Sequence, residues 1–318
     1  MAKILITGSE GVIGSYLTRI LTERENSVFG VDLYHRPGEI GWEHTMTEGK
    51  FNYSRCDIAD FRQLERIFKK VGPFDFVYNT AAEFGRWNGE DYYEQVWRSN
   101  AIGTKNIIRL QEKYKFNLIH FSSSEVYGDY EDVMKEDVMD NVEIKQLNDY
   151  AMSKWVNEMQ IRNSITQHDT KSVVIRLFNT YGPGEWYHPY RSVNCKFCYH
   201  ALMGWPVVVY KNHYRTSTFL GDTCRTLCNI VNNFKSSQTY NVGGLEYHSI
   251  ETLVDIIWET TGADKKLIRY EDSEILTTKS KKLDISKAVK DLDHKMTVDL
   301  KEGVKKTIDW MKEYYDIK

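Results

Sequence analysis

The sequence predicts an α/β fold, a doubly wound parallel sheet with a smaller C-terminal α/β portion beside it. Three observations predict it. Short apolar runs alternate with longer amphipathic ones, the first run leads through a glycine-rich turn into a helix, and the pattern turns chiefly helical after Gly244. The runs Lys3–Thr7, Ser27–Asp32, Phe51–Cys56, Phe74–Asn79, Asn117–Ser122 and Ser172–Phe178 read as strands, with helical patterns between most of them. Pro206–Tyr210 and Thr239–Val242 continue the pattern briefly. The stretch Asn179–Arg191, rich in Gly, Pro, Tyr and Trp, reads as a shaped loop. Ser249 caps a helix over Glu251–Thr261, and Asp299 precedes another over Lys301–Tyr315.

Composition narrows the function classes. A chain of 318 residues with 41% apolar content buries a full core. Its formal charge of −3 supplies no basic surplus for a nucleic-acid backbone or an anionic membrane, so neither is expected as a partner. Met1-Ala2-Lys3 leads straight into Ile4–Ile6 without the longer apolar segment of a signal peptide, and no run of about 18 apolar residues follows, so a cytoplasmic location is expected. The five cysteines are an odd number and read as reduced thiols. Cys195-x-x-Cys198 and Cys224-x-x-x-Cys228 have spacings of one helix face among apolar neighbours, and no metal is expected.

The first strand enters Gly8-Ser9-Glu10-Gly11-Val12-Ile13-Gly14 and then a helix. Missing side chains there let backbone N–H groups approach a pyrophosphate at a helix N-terminus. The spacing is looser than the tightest dinucleotide fingerprint. The second strand ends at Asp32, about 20 residues on, where a carboxylate accepts both hydroxyls of an adenosine ribose and repels a 2′-phosphate, which favours NAD over NADP. Arg36 reads as a solvated surface residue, with pairing to a 2′-phosphate as its alternative. Asp57-Ile58, beyond the third strand, lies where an adenine edge would rest. This is the pattern of a Rossmann domain.

The chemistry follows the fifth strand. Ser122-Ser123-Ser124-Glu125-Val126-Tyr127-Gly128 is followed, 27 residues beyond Ser123, by Tyr150-Ala151-Met152-Ser153-Lys154, which sets Tyr and Lys on one helix face. A phenol of ordinary pKa near 10 is a poor base at neutral pH unless adjacent cations favour the phenolate. Lys154 and a positive nicotinamide supply such charges, Tyr150 then takes a hydroxyl proton, and Ser123 holds that hydroxyl in line. A second Tyr-x-x-x-Lys, Tyr314 with Lys318, follows no strand and reads as surface.

With these residues the chain resembles the extended short-chain dehydrogenases, the NAD-dependent nucleotide-sugar epimerase, dehydratase and decarboxylase family, over nearly its whole length. Val77-Tyr78-Asn79-Thr80-Ala81-Ala82 resembles the family's cofactor-lining strand end, Asn100-Ala101-Ile102-Gly103-Thr104 the helix under the nicotinamide, and Arg176-Leu177-Phe178-Asn179-Thr180-Tyr181-Gly182-Pro183-Gly184 its substrate-side loop. The resemblance implies cofactor contacts from Gly8, Gly11, Val12, Ile13, Gly14, Asp32, Asp57, Ile58, Ala81, Ala82, Asn100, Tyr150 and Lys154. It implies Asn179 at the substrate pyrophosphate, Arg215 at the nucleotide, and a homodimer formed through the helix bearing Tyr150. Asp284-Ile285-Ser286-Lys287-Ala288 and Leu300-Lys301-Glu302-Gly303 also fit. The chain departs from the family at Asn79, where His is common, at Asp293-His294, where Gly-Trp is usual, and at Lys281 or Lys282, either of which replaces a nucleotide-binding Arg. Glu83-Phe84-Gly85-Arg86-Trp87-Asn88-Gly89 matches no subgroup and is expected to face the sugar or to form an exposed loop anchored by Trp87. Residues 1–178, with 212–245 returning to them, are expected to form the NAD-binding domain, and 179–211 with 246–318 the nucleotide-sugar-binding portion.

By this resemblance the sugar is oxidised at C4, which acidifies the C5 proton. Glu125 occupies the slot of the C5 base in 4,6-dehydratases, so a sugar-nucleotide 4,6-dehydratase is the first expectation, with catalytic residues Tyr150, Lys154, Ser123, Glu125 and Ser124. Ser124-Glu125 also resembles UDP-glucuronate decarboxylases, in which Arg86, Arg191, Ser124 or Arg215 would anchor a carboxylate. Substrate contacts are expected from Glu83, Arg86, Ser124, Asn179, Arg191 and Arg215. The alternatives are a 4-epimerase, in which Glu125 is structural, and an NAD-sensing regulator without turnover, which would have no need of Tyr150 and Lys154. The aromatic residues Trp186, Tyr187 and Tyr190 read as packing, with sugar stacking as the alternative.

Overall fold

The computed structural model describes residues 1–34 and 51–317. Strands β1 (Lys3–Thr7), β2 (Ser27–Asp32), β3 (Phe51–Arg55), β4 (Phe76–Asn79), β5 (Asn117–Ser123), β6 (Lys171–Leu177) and β7 (Gln238–Val242) form a wholly parallel sheet in the order β7-β6-β5-β4-β1-β2-β3. Alternation along β1 explains the layering. Ile4 and Ile6 join a core with Leu17 and Leu21 of α1 (Val12–Glu23), while Leu5 faces the other side against Leu64 and Phe68 of α2 (Phe61–Val71). Asp60 starts α2 by accepting from the backbone N–H groups of Arg62 and Gln63.

Chain order reverses between β1, whose Thr7 pairs with Asn79, and β4. In an open parallel sheet that reversal opens a crevice at the strands' carboxyl ends, where ligands bind. The residues around it come from α1, α3 (Arg86–Asp91) and α5 (Asp149–His168), and α4 (Gly103–Tyr114) packs against α5. The segment Glu83–Gly89, with its exposed-loop alternative, forms in part the short helix α3. Gly85 allows this because its φ of +97° and the 2.8 Å that would separate a Cβ from the Tyr190 carbonyl oxygen exclude a side chain. A π-helical stretch, Trp97–Ile102, leads into α4.

A further core joins Tyr181, Cys195 and Cys198 of α6 (Val193–Met203), Leu253 and Ile257 of α8 (Ile250–Thr261), and Val304 and Ile308 of α10 (Leu300–Tyr314). Ser249 and Asp299 cap the last two helices through Thr252 N–H and Glu302 N–H. Cys224 and Cys228 of α7 (Leu220–Cys228) pack in the sheet core instead, so the two cysteine pairs lie in different cores. Thr180–Tyr181, inside the expected loop, pairs with Thr218–Phe219. Ala288 and Leu292 of α9 (Ser286–Leu292) pack on the sheet core, beside α7. Asp293 ends α9 with φ +50°, the left-handed conformation that glycine usually supplies, and His294 is buried between the Thr226 hydroxyl and the Gly243 carbonyl at 2.8 Å each. Among the described residues no helix is long and apolar enough to cross a membrane.

Candidate active site

A cavity of ≈ 760 Å³ lies at the carboxyl ends of β1 and β4. Gly8, Gly11, Val12, Ile13 and Gly14 line one wall, Asp32, Asp57 and Ile58 a second, Ala81, Ala82 and Glu83 a third, and Tyr150, Lys154 and Arg191 close it. The first wall is built by backbone. Gly8 N–H donates to Val31 O at 2.7 Å, Gly11 N–H donates to Gly8 O at 3.0 Å, and a Cβ on Gly14 would lie 2.0 Å from Gly8 O. Helix α1 begins at this turn with no acidic residue in its first turn, so its positive end faces the cavity, which Glu10 and Asp32 also line. The Asp32 carboxylate accepts from Glu10 N–H and Leu33 N–H at 3.0 and 2.7 Å, which fixes its aim. These walls fit a dinucleotide, whose pyrophosphate α1 would hold and whose ribose Asp32 would hold. Gly14→Ala is expected to destabilise the fold by about 1–3 kcal/mol and to weaken NAD binding at least about tenfold, measured by titrating NAD against intrinsic fluorescence. Arg36 lies outside the described residues.

At the chemical end, Asn148 caps α5 by accepting from Ala151 N–H at 2.8 Å, which sets Tyr150 and Lys154 in the first turns. The Lys154 ammonium donates to Phe121 O at 2.8 Å and lies 5.8 Å from the Tyr150 ring centre. Burial lowers Lys154 to about 8. Burial pushes the Tyr150 hydroxyl up to about 12, against the hydrogen bond from Ser123 that pulls it down, while the Glu125 charge raises it further. The structure therefore brings Tyr150, Lys154, Ser123 and Glu125 together. Ser124, 4% exposed, is buried next to them and does not line the cavity.

Glu125 is not open to the cavity. Its carboxylate accepts from Lys281 Nζ in a short contact and from Arg86 Nη1 at 3.3 Å. Burial raises its pKa, but Lys281 and Arg86 outweigh that and hold it at about 2. The second Arg86 nitrogen donates twice to Glu274 at 3.0 and 2.8 Å, and Trp87 Nε1 donates to Glu274 at 3.0 Å. Arg215 donates only to neutral acceptors in its hydrogen bonds, Tyr214 O, Lys279 O and Thr277 Oγ1. Burial, then the nearby Arg86 charge, lowers Arg215 to about 10. Lys281 is buried and Lys282 exposed, so Lys281 is the inward cation of that pair. Burial lowers it to about 8 against the pull of Glu125.

Other expected contacts sit differently. Asn100, expected at the cofactor, is 1% exposed and outside the cavity wall. Its amide clamps the Glu83 backbone, accepting at 2.9 Å and donating at 3.1 Å, and donates to Ser153 Oγ at 3.0 Å, so it braces the loop against α5. Asn79 bonds Thr7, Thr104 and His120 behind the sheet. Asn179, with φ +35°, does not line the cavity, nor do Arg86, Ser124 and Arg215. Trp186 and Tyr190 do line it, whereas Tyr187 stacks on Tyr199 at 4.1 Å. Glu274 and the inward choice of Lys281 carry no sequence signal beyond a charged stretch.

A family model described as NAD dependent epimerase/dehydratase family matches residues 4–243. The chain is 25% identical to dTDP-glucose 4,6-dehydratase of Salmonella typhimurium, over 97% of this chain and 92% of the relative. It is 26% identical to UDP-N-acetyl-alpha-D-glucosaminuronate decarboxylase of Bacillus cytotoxicus, over 98% of each. An epimerase from Methanothermobacter thermautotrophicus, 25% identical, superposes with a TM-score of 0.88 over 99% of this chain and 93% of that one.

Proposed function

Since the chain belongs to the NAD dependent epimerase/dehydratase family, we propose that it oxidises a nucleotide-linked sugar at C4 and reduces the 4-keto sugar on its other face, a 4-epimerase reaction. NAD, which the Gly8–Gly14 turn and Asp32 would hold, would supply the hydride acceptor and donor. Tyr150 takes the C4 hydroxyl proton, Ser123 aligns that hydroxyl, and the Lys154 charge favours the phenolate. Tyr150 returns the proton when the keto oxygen is reduced. Lys281 and Arg215, two buried cations beside Glu125, are matched to the substrate's diphosphate, with Asn179 as a further contact. Met152, Met159 and Ile102 are left exposed on and beside α5, and pairing of two copies is proposed there.

One observation carries the choice of epimerisation. A general base works best with a pKa near the working pH, and Glu125, ion-paired with Lys281 and Arg86, is held at about 2. As a C5 base it would be too weakly basic. It acts instead as the anion that holds Arg86 and Lys281 in place. The 4,6-dehydratase remains the second reading, supported by the charge of Glu125 acting on Tyr150. Incubation with UDP- and dTDP-hexoses in deuterated water separates the two. Epimerised product with unlabelled C5 is the expected result, and deuterium at C5 would transfer the assignment to the dehydratase.

A further inference from the structure

We infer that the loop of residues 186–191 is a lid over the cofactor cavity and that a hydrogen bond from Tyr190 to Asp91 latches it, setting how fast NAD enters and leaves. This rests on the reading that the turn at Gly11 and the Asp32 carboxylate hold NAD. Trp186, His188, Tyr190 and Arg191 line the same cavity as those two groups. Tyr16 of α1 donates to Pro183 O at 3.0 Å, just before the loop, and Tyr190 Oη donates to Asp91, the last residue of α3, at 2.5 Å. Helix α1 follows β1 and α3 follows β4, the two strands between which the crevice opens, so a chain tied to both crosses it.

The loop is pinched at its neck. Glu185 accepts from Ser192 N–H at 3.3 Å and from Ser192 Oγ at 3.0 Å, so the two ends meet as in a compact surface loop. One flank is moored in the C-terminal portion, where Tyr187 N–H donates to Tyr315 Oη at 2.7 Å and the Tyr187 ring stacks on Tyr199. The other flank rests on the chain around α3, with Arg191 4.0 Å above the Phe84 ring and Tyr190 edge-on to Tyr92 at 6.3 Å. Gly85 lets the Tyr190 backbone come this close. The Tyr190–Asp91 bond lies at the exposed rim of that flank, where water competes for both groups, so it breaks without loss of any core contact. Asp91 raises the Tyr190 phenol to about 12, which keeps it a donor at neutral pH. Tyr190 and Asp91 are therefore positioning residues: a latched lid keeps the reduced cofactor beside the keto sugar until the hydride has been returned.

The test reads cofactor exchange and needs no sugar. Protein loaded with NADH is mixed with excess NAD in a stopped-flow instrument, and the loss of NADH fluorescence gives the release rate. Mixing NADH with protein stripped of cofactor gives the entry rate. Tyr190→Phe keeps the ring and removes the donor, and both rates are expected to rise about tenfold, the worth of a hydrogen bond to a charged group. The binding constant should change less than either rate. Asp91→Asn keeps an acceptor and should raise both rates by less. The double variant should match Tyr190→Phe alone, because the two changes remove one bond. Faster release with unchanged entry, insensitive to Asp91, makes Tyr190 a direct cofactor contact and overturns the latch. Unchanged rates in every variant overturn the lid. If NADH does not bind at all, the dinucleotide reading falls, and this inference with it.

Discussion

Tyr150→Phe is expected to lower turnover of any nucleotide sugar the protein converts by roughly 10²–10⁴-fold, the range that a positioned acid–base group supplies. The phenol is raised to about 12 by burial, and the Ser123 hydrogen bond only partly offsets that. Without a nearby cation the phenolate is inaccessible at neutral pH. Lys154 supplies one while protonated, and burial sets its pKa at about 8. Raising the pH through about 8 removes that charge, so the rate should fall on this alkaline limb. Lys154→Arg keeps the charge and should move the limb upward while lowering the maximum. Stopped assays across the pH range, with product separated by chromatography, read both effects. A Tyr150→Phe variant that retains a tenth or more of the activity would remove Tyr150 from the acid–base role.

Arg176→Leu is expected to destabilise the fold by about 3–5 kcal/mol, because it strands a buried carboxylate. Arg176 is 0% exposed and Glu158 1%. Arg176 Nε and Nη2 donate to the Glu158 oxygens at 3.0 and 2.8 Å, and Nη1 donates to Tyr127 Oη and Glu136 O. Ser122 donates to the same carboxylate. Glu158 lies one turn beyond Lys154 on α5, so this network ties α5 to β6. Adding Glu158→Leu removes the stranded charge and should recover part of the loss. Urea midpoints at constant slope measure both changes.

The strands were legible because period-two alternation and buried apolar runs are local signals. The glycine turn and Asp32 were legible because helix start and strand end lie within one βαβ unit. The fate of Glu125 was not. Its partners lie 39 and 156 residues away, and the Arg86–Glu274 contact spans 188. No local pattern ranks one lysine or glutamate in a charged stretch over its neighbours. The same distance hid the bracing role of Asn100, whose motif read as a cofactor contact while its amide is engaged by Glu83 and Ser153. Helix α3 was missed because Gly85 resembles a loop residue, although it is the close approach of Tyr190 that requires it. Asp293 substitutes for a family glycine and still adopts the conformation glycine would take.

Strand β7 pairs with β6 in register from Gln238↔Val173 to Val242↔Leu177, yet the intervening chain first builds α6 and α7. During synthesis β6 therefore emerges with one edge bare and waits until Gln238 has been made before its neighbour arrives. An unpaired edge of Val and Ile residues is a template for the wrong strand. Long-range parallel pairing of this kind is also slow to form. Chains cut short before Gln238 should be the aggregating species, and expression of the protein should depend on how quickly translation carries the last strand past the point of pairing.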